Sequence, residues 1–276
     1  MTPQNQSRSQ TQSKAQRRAE AQRRAAEKRA AELRRKRTRT GIRVGGVVAV
    51  IAVVIVTIVL LTGGSSGTPQ QFTNPHLSLE PIPASMSSTW VQPPAGTPGP
   101  ETVPVPSGPR LATLINSATG QTIDGIQCQT GEQTQVHVHT HLTIFVNGQA
   151  RVIPYGIGIP GAQAQQSPQG PFVSTGSCFY WLHGHANDGI IHVESPTTTD
   201  TYTLGDFFDE WGVPLSSTQV GPATGKVTVL FTSPGKKTGI YTGDPRNIPL
   251  GDRYEIQLDV GTPIVAPVKV TNWGGL

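Results

Sequence analysis

Residues 44–62 read VGGVVAVIAVVIVTIVLLT, and this stretch constrains the chain more than any other. Its nineteen residues carry no charge and are dominated by Val, Ile, Leu and Ala. At 1.5 Å of rise per residue they make about 28 Å of helix, close to the roughly 30 Å hydrocarbon thickness of a bilayer. A buried core helix is the alternative, but a helix apolar all round and this long is rarely needed in a soluble domain. The stretch reads as a transmembrane helix, so the rest of the chain must fold on either side of it.

The flanks give the direction. Residues 1–43 hold fourteen Lys and Arg against three Asp and Glu, whereas residues 44–276 hold eight against fourteen. Arg35, Lys36, Arg37, Arg39 and Arg43 crowd the start of the span, and no Lys or Arg follows it until Arg110. The positive-inside rule places residues 1–43 in the cytoplasm and the remainder outside a cell membrane crossed once. A cleaved signal peptide would have a shorter basic region and an apolar core of about 7–15 residues. Gly63-Gly64-Ser65-Ser66 leaves cleavage open, but an uncleaved anchor fits the pattern better. The expected partners of the tail are the lipid bilayer and its anionic headgroups, at about 1 kcal/mol per basic residue near the surface. No aromatic residue interrupts the basic run to stack on bases, and the remainder of the chain is acidic, so nucleic acid is not an expected partner. No motif marks a protein partner.

Residues 63–110 contain eleven of the twenty-four prolines, amid Gly, Ser, Thr and Gln. Proline removes backbone donors and favours extended chain, so this segment reads as a disordered or semi-rigid stalk. From residue 111 short apolar alternations are separated by Gly, Pro, Asn and Asp. Strands are expected at 135–146, 179–185, 190–194, 226–232, 239–242 and 254–260. One helix is expected after Thr203: Thr203 caps it, Asp206 occupies its third position and Gly212 ends it. Leu204, Phe207, Phe208 and Trp211 have helical spacing and read as core anchors. The expected fold is one mostly-β extracytoplasmic domain, 111–276, with a single short packed helix.

Six of the seven histidines fall between positions 137 and 192. His137, His139 and His141 alternate with Val138 and Thr140, so a strand puts all three on one face. Same-face neighbours lie about 6.5–7 Å apart, which suits two adjacent imidazoles converging on one metal; three on one ion would require a bend. The second group, His183-Gly184-His185, runs into the turn Ala186-Asn187-Asp188-Gly189 and out to His192. A loop at Asn187-Asp188 sets His183 opposite His192, and one at Asp188-Gly189 sets His185 there. Either register brings two imidazoles to about 4.5–5.5 Å between Cβ atoms. Asp188 is assigned to the turn. The six histidines are thus candidate ligands of a transition metal, zinc or copper above others, and no carboxylate cluster argues for calcium or magnesium. Histidines that merely face solvent or hydrogen-bond the backbone are the competing explanation.

Glu194 shares a face with His192 and could ligate, orient an imidazole or act as a base if the domain is an enzyme. Cys128 and Cys178 each precede a histidine group; outside a membrane a disulfide between them is expected, with a thiolate ligand or redox role as the alternative. No phosphate-binding loop or nucleophile elbow is present, so any enzymatic function rests on the metal, as in a zinc hydrolase. The leading expectation is a metal-handling or metal-sensing domain without catalysis; a metal hydrolase and a pH-responsive interaction domain are the competitors.

The runs HVHTHLTIFVNGQ, IPYGIGI, CFYWLHGHANDGIIHVESP and TLGDFFDEWG, in that order, resemble a group of membrane-anchored, His-rich extracytoplasmic domain proteins of bacteria and archaea. The resemblance covers roughly residues 120–260. It implies domain identity and carries no function with it. That group often has Asp after the second hairpin histidine, where this chain has Ala186.

Overall fold

The longest strand runs over Val136–Val146 (β1), where β-branched and aromatic residues alternate with histidines and threonines. Gln149–Arg151 (β2) folds back on its end through a turn at Asn147-Gly148. The central sheet is completed by Leu182–His183 (β3), Ile190–Ser195 (β4), Val227–Thr232 (β5), Gly239–Tyr241 (β6) and Tyr254–Val260 (β7). Its order is β6-β5-β7-β1-β4-β3, with β2 also on β1. Every pairing is antiparallel except β7 with β1, which run parallel from Tyr254 opposite Thr140 to Val260 opposite Val146. A computed structural model describes residues 77–114 and 117–276, and the fold is that of these residues.

The described region is mostly β. The helix Leu204–Trp211 begins on a capping box, with the Asp206 N–H donating to Thr203 and the Thr203 N–H donating to the Asp206 carboxylate. It ends at Gly212, whose φ of 79° is the left-handed conformation that stops a helix. Leu204, Phe207, Phe208 and Trp211 are buried against one face of the sheet, in a core that includes Leu142, Ile144, Val193, Ile256 and Leu258. A second, four-residue α-helix at Ala84–Ser87, which was not expected, makes two α-helices among the described residues.

The expected tail, 1–43, and span, 44–62, lie outside the described residues, and among the described residues no helix is long and apolar enough to cross a membrane. The expected stalk boundary at residue 110 is corrected. From Leu77 onward the chain is applied to the domain: Glu80 exchanges backbone hydrogen bonds with Ile240, Val91 bridges to Val265, and Arg110 bridges to Val152. Within this strap Thr97–Pro98 pairs with Pro104–Val105, and Val103 is buried against Ile190 and Val270. The physical reason is that proline removes an N–H but keeps an apolar ring and a carbonyl acceptor. Composition therefore predicts extended chain and leaves open whether that chain detaches or packs.

The face of the sheet away from the helix mixes polar side chains with Phe145 and Ile190, and these two pack against residues of the strap and the C-terminal segment. Side chains of β7 act there as backbone partners. Asp259 accepts from the Val265 N–H at 3.0 Å, Gln257 from Val268 at 2.9 Å and Glu255 from Val270 at 2.7 Å.

Candidate metal centre

Three strands build the site. In the β1–β4 register His192 lies opposite His139 and Glu194 opposite His137, and in the β4–β3 register His192 lies opposite His183. The hairpin thus takes the register set by a loop at Asn187-Asp188. Gly189, with φ 85°, closes the turn where a Cβ would stand 2.2 Å from the Leu142 carbonyl oxygen. Segment 153–159 holds the other side of the histidine loop. Gly184 donates to Ile157 and accepts from Gly156, and Tyr180 donates to Gly158. A side chain at Gly158 would meet the Leu182 carbonyl at 2.1 Å, which explains glycine in the IPYGIGI run. Cys128 and Cys178 form a disulfide that ties the ribbon Cys128–Gln129 to Phe179–Tyr180, immediately before His183.

Two groups of side chains could each hold a metal ion: His183, His185, His192 and Glu194, and His137, His139 and His192. In the first group all four residues are buried, with Glu194 only 2% exposed. His183 Nδ1 lies 2.8 Å from the Tyr180 carbonyl, and His185 Nδ1 lies against the Val173 carbonyl. A carbonyl only accepts, so each Nδ1 carries the proton and each neutral ring presents an Nε2 lone pair. Those Nε2 atoms face each other at 3.1 Å. Burial, reinforced by the neighbouring His192, lowers the pKa of both rings and keeps them neutral. Two lone pairs at this distance repel unless a cation lies between them. Zinc–nitrogen bonds of about 2.0–2.1 Å place two nitrogens of a tetrahedral ion about 3.3 Å apart.

Glu194 completes the ring of donors. Its Oε1 is 3.8 Å from His183 Nε2, 3.4 Å from His192 Nδ1 and 3.1 Å from His137 Nε2. Its Oε2 is buried without a partner, as are His192 Nδ1 and His139 Nε2. His192 differs from its neighbours. Burial alone would lower its pKa, but the Nε2 bond to Glu101 and the nearby charges of Glu101 and Glu194 outweigh burial and push it up to about 9. A metal taking Nδ1 would therefore displace a proton, while Nε2–H stays bonded to Glu101 at 2.7 Å.

Five of the six expected histidines, 137, 139, 183, 185 and 192, enter these groups together with Glu194. His141 does not. Its Nε2 bonds the Asp188 carbonyl oxygen at 3.0 Å and its ring meets Trp273 edge-on, because the strand carries it past the end of the β3–β4 hairpin. Asp188 is a buried turn residue whose side chain accepts from the Ile190 N–H.

Two carboxylates were not foreseen. Glu101 comes from the strap and Glu132 from the loop before β1, where Glu132 Oε1 lies 3.5 Å from His185 Nε2. Glu132, five residues before His137, was readable as a near neighbour; Glu101 gave no signal beyond being a lone acid among prolines. The site opens on a cleft of about 510 Å³ lined by His137, His139, His185, Glu101, Glu132 and Phe172, among others. Comparison with protein-family models, curated proteins and solved structures gave no match to this chain.

Proposed function

We propose that this chain is a membrane-anchored protein whose domain, displayed outside the cell membrane, binds a first-row transition metal, zinc or copper, and serves in its handling or sensing. The observation that carries this is the pair of Nε2 lone pairs of His183 and His185, opposed at 3.1 Å beside a buried carboxylate. Neutral imidazoles with a single carboxylate suit zinc or copper better than calcium or magnesium. The apolar run at 44–62 and the basic residues before it support the anchor and its direction. The disulfide fits an oxidising compartment.

Elemental analysis of the untagged full-length chain tests metal binding. At least one equivalent of metal is expected, lost when His183→Ala and His185→Ala are combined in a chain that still folds. A metal-free wild type after incubation with zinc and copper would sink the proposal. Protease treatment of intact cells tests the direction: residues 111–276 should be digested and residues 1–43 protected.

A hydrolytic function is favoured by one observation, the cleft beside the donors. Glu194 as its base is less suited, since three imidazoles already surround Oε1. Ester hydrolysis by the zinc-loaded chain and not by the metal-free chain would establish that activity.

A further inference from the structure

The donors around Glu194 outnumber what one ion takes. His137, His139, His183, His185, His192 and Glu194 make six, against four positions in a tetrahedral zinc site. Apart from His192, which belongs to both groups, they also divide by place. His183 is fully buried and His185 lies at the inner wall of the cleft, whereas His137 is 46% exposed at its mouth. His139 lies between them, with its ring 4.8 Å from that of His137 and 4.5 Å from that of His192. His139 Nε2 is buried and has no partner within the protein. An unpaired imidazole nitrogen at this depth is costly unless something binds it. Glu194 stands at the junction, with Oε1 3.1 Å from His137 Nε2 on one side and 3.8 Å from His183 Nε2 on the other.

We infer that the domain holds two transition-metal ions side by side, the second on His137 and His139 at the mouth of the cleft, with Glu194 bridging it to the first. The inference rests on the metal-binding function proposed above and adds a distinct site to it. The mouth ion, with an exposed ligand and open cleft beside it, exchanges with solvent faster than the enclosed ion. It is thus the entry point for loading and the first ion lost to a chelator. Its class is that of the inner ion, zinc or copper, because its donors are again imidazole and carboxylate.

The test is native mass spectrometry of the untagged full-length chain in detergent, loaded with zinc and then exposed to a weak competing chelator. The wild type is expected to carry two ions and to shed one early. His137→Ala with His139→Ala should carry one. His137→Ala alone alters an exposed residue and leaves folding intact; it should weaken the second ion at least tenfold, leaving the first unchanged. A wild type saturating at one ion, or a double variant still holding two, overturns the second site. A wild type binding none overturns the proposed function itself. Copper adds a readout for the bridge: two Cu(II) ions sharing Glu194 broaden each other's electron paramagnetic resonance signal, and Glu194→Gln should separate them. Unperturbed signals from two wild-type copper ions would overturn the bridge.

Discussion

The two faces of β1 come from one eleven-residue strand and do opposite work. Toward the helix, Leu142 and Ile144 join Phe207, Phe208 and Trp211 in an apolar core, with Val138 packed at its edge. Toward the strap, His137, His139 and His141 meet carboxylates, other imidazoles and backbone carbonyls. Apolar burial is non-directional and scales with area, so the first face stabilises the fold whatever the fine alignment of its side chains. Each buried donor and acceptor on the second face must find a partner, and several find none inside the protein. The difference teaches where stability and chemistry reside: the helix side holds the strands in register, and that register places the donors.

The largest effect expected of a single substitution is on the apolar face. Trp211→Ala should cost about 3–5 kcal/mol in denaturant unfolding, with metal stoichiometry of the folded fraction unchanged. A loss below about 1 kcal/mol would break the assignment of stability to that face. Next comes the disulfide, which closes a separation of 50 residues. Replacing both Cys128 and Cys178 by Ser should cost about 2–4 kcal/mol. It should also weaken metal affinity, because the bridge anchors the strand entering His183; unchanged affinity in calorimetric titration would show that the polar face needs no such anchor.

Acid should act on the polar face. Burial lowers His139 to about 3 and His141 to about 4, His141 despite its bond to the Asp188 carbonyl. Below the ordinary histidine value near 6.5 the unfolded chain takes up protons that the folded chain refuses. Stability of the metal-free protein should therefore fall as pH drops from about 6.5 toward 4, by about 1.4 kcal/mol per pH unit for each such histidine. His192 has the opposite sign: its contribution is full below about 6.5 and is lost as pH rises through about 9. Urea unfolding across this range, with His141→Leu as control, measures the acid slope, and the variant should lose one histidine's share. A flat profile would break the contrast between the faces.

The smallest effect is a gain. Glu210 is fully buried on the helix side, both its oxygens lack partners, and burial, together with Asp206, Asp124 and Asp209, raises its pKa well above the ordinary value. The folded chain keeps a proton that the unfolded chain releases above about 4.5, so this group penalises folding increasingly as pH rises. Glu210→Met should stabilise the protein by about 1–2 kcal/mol at neutral pH, seen as a raised melting temperature.

Much of the sheet was legible. Period-2 alternation marked strands close to the observed β1, β4, β5, β6 and β7, and the capping signals placed the helix at Leu204–Trp211. Short pairings such as Ala164–Ser167 with Gly170–Val173 were missed, because AQQS and GPFV carry no alternation to read. The histidine cluster was visible as composition and spacing. The exclusion of His141 was not, since it depends on where the partner hairpin ends. Glu101 was invisible in the sequence: it lies 91 residues before His192, in a segment whose prolines predict an extended chain.

By itself the sequence determined what is local: an apolar run of membrane length, strand alternation putting three histidines on one face, a capped helix, and a turn choice limited to two registers. Those follow from backbone geometry and the solvation of single side chains. Tertiary structure alone decided which register the hairpin takes, that the proline-rich strap lies on the domain, and that Glu194 stands among three imidazoles. Those depend on contacts between residues far apart in the chain, and the energies that select them appear only once desolvated groups meet.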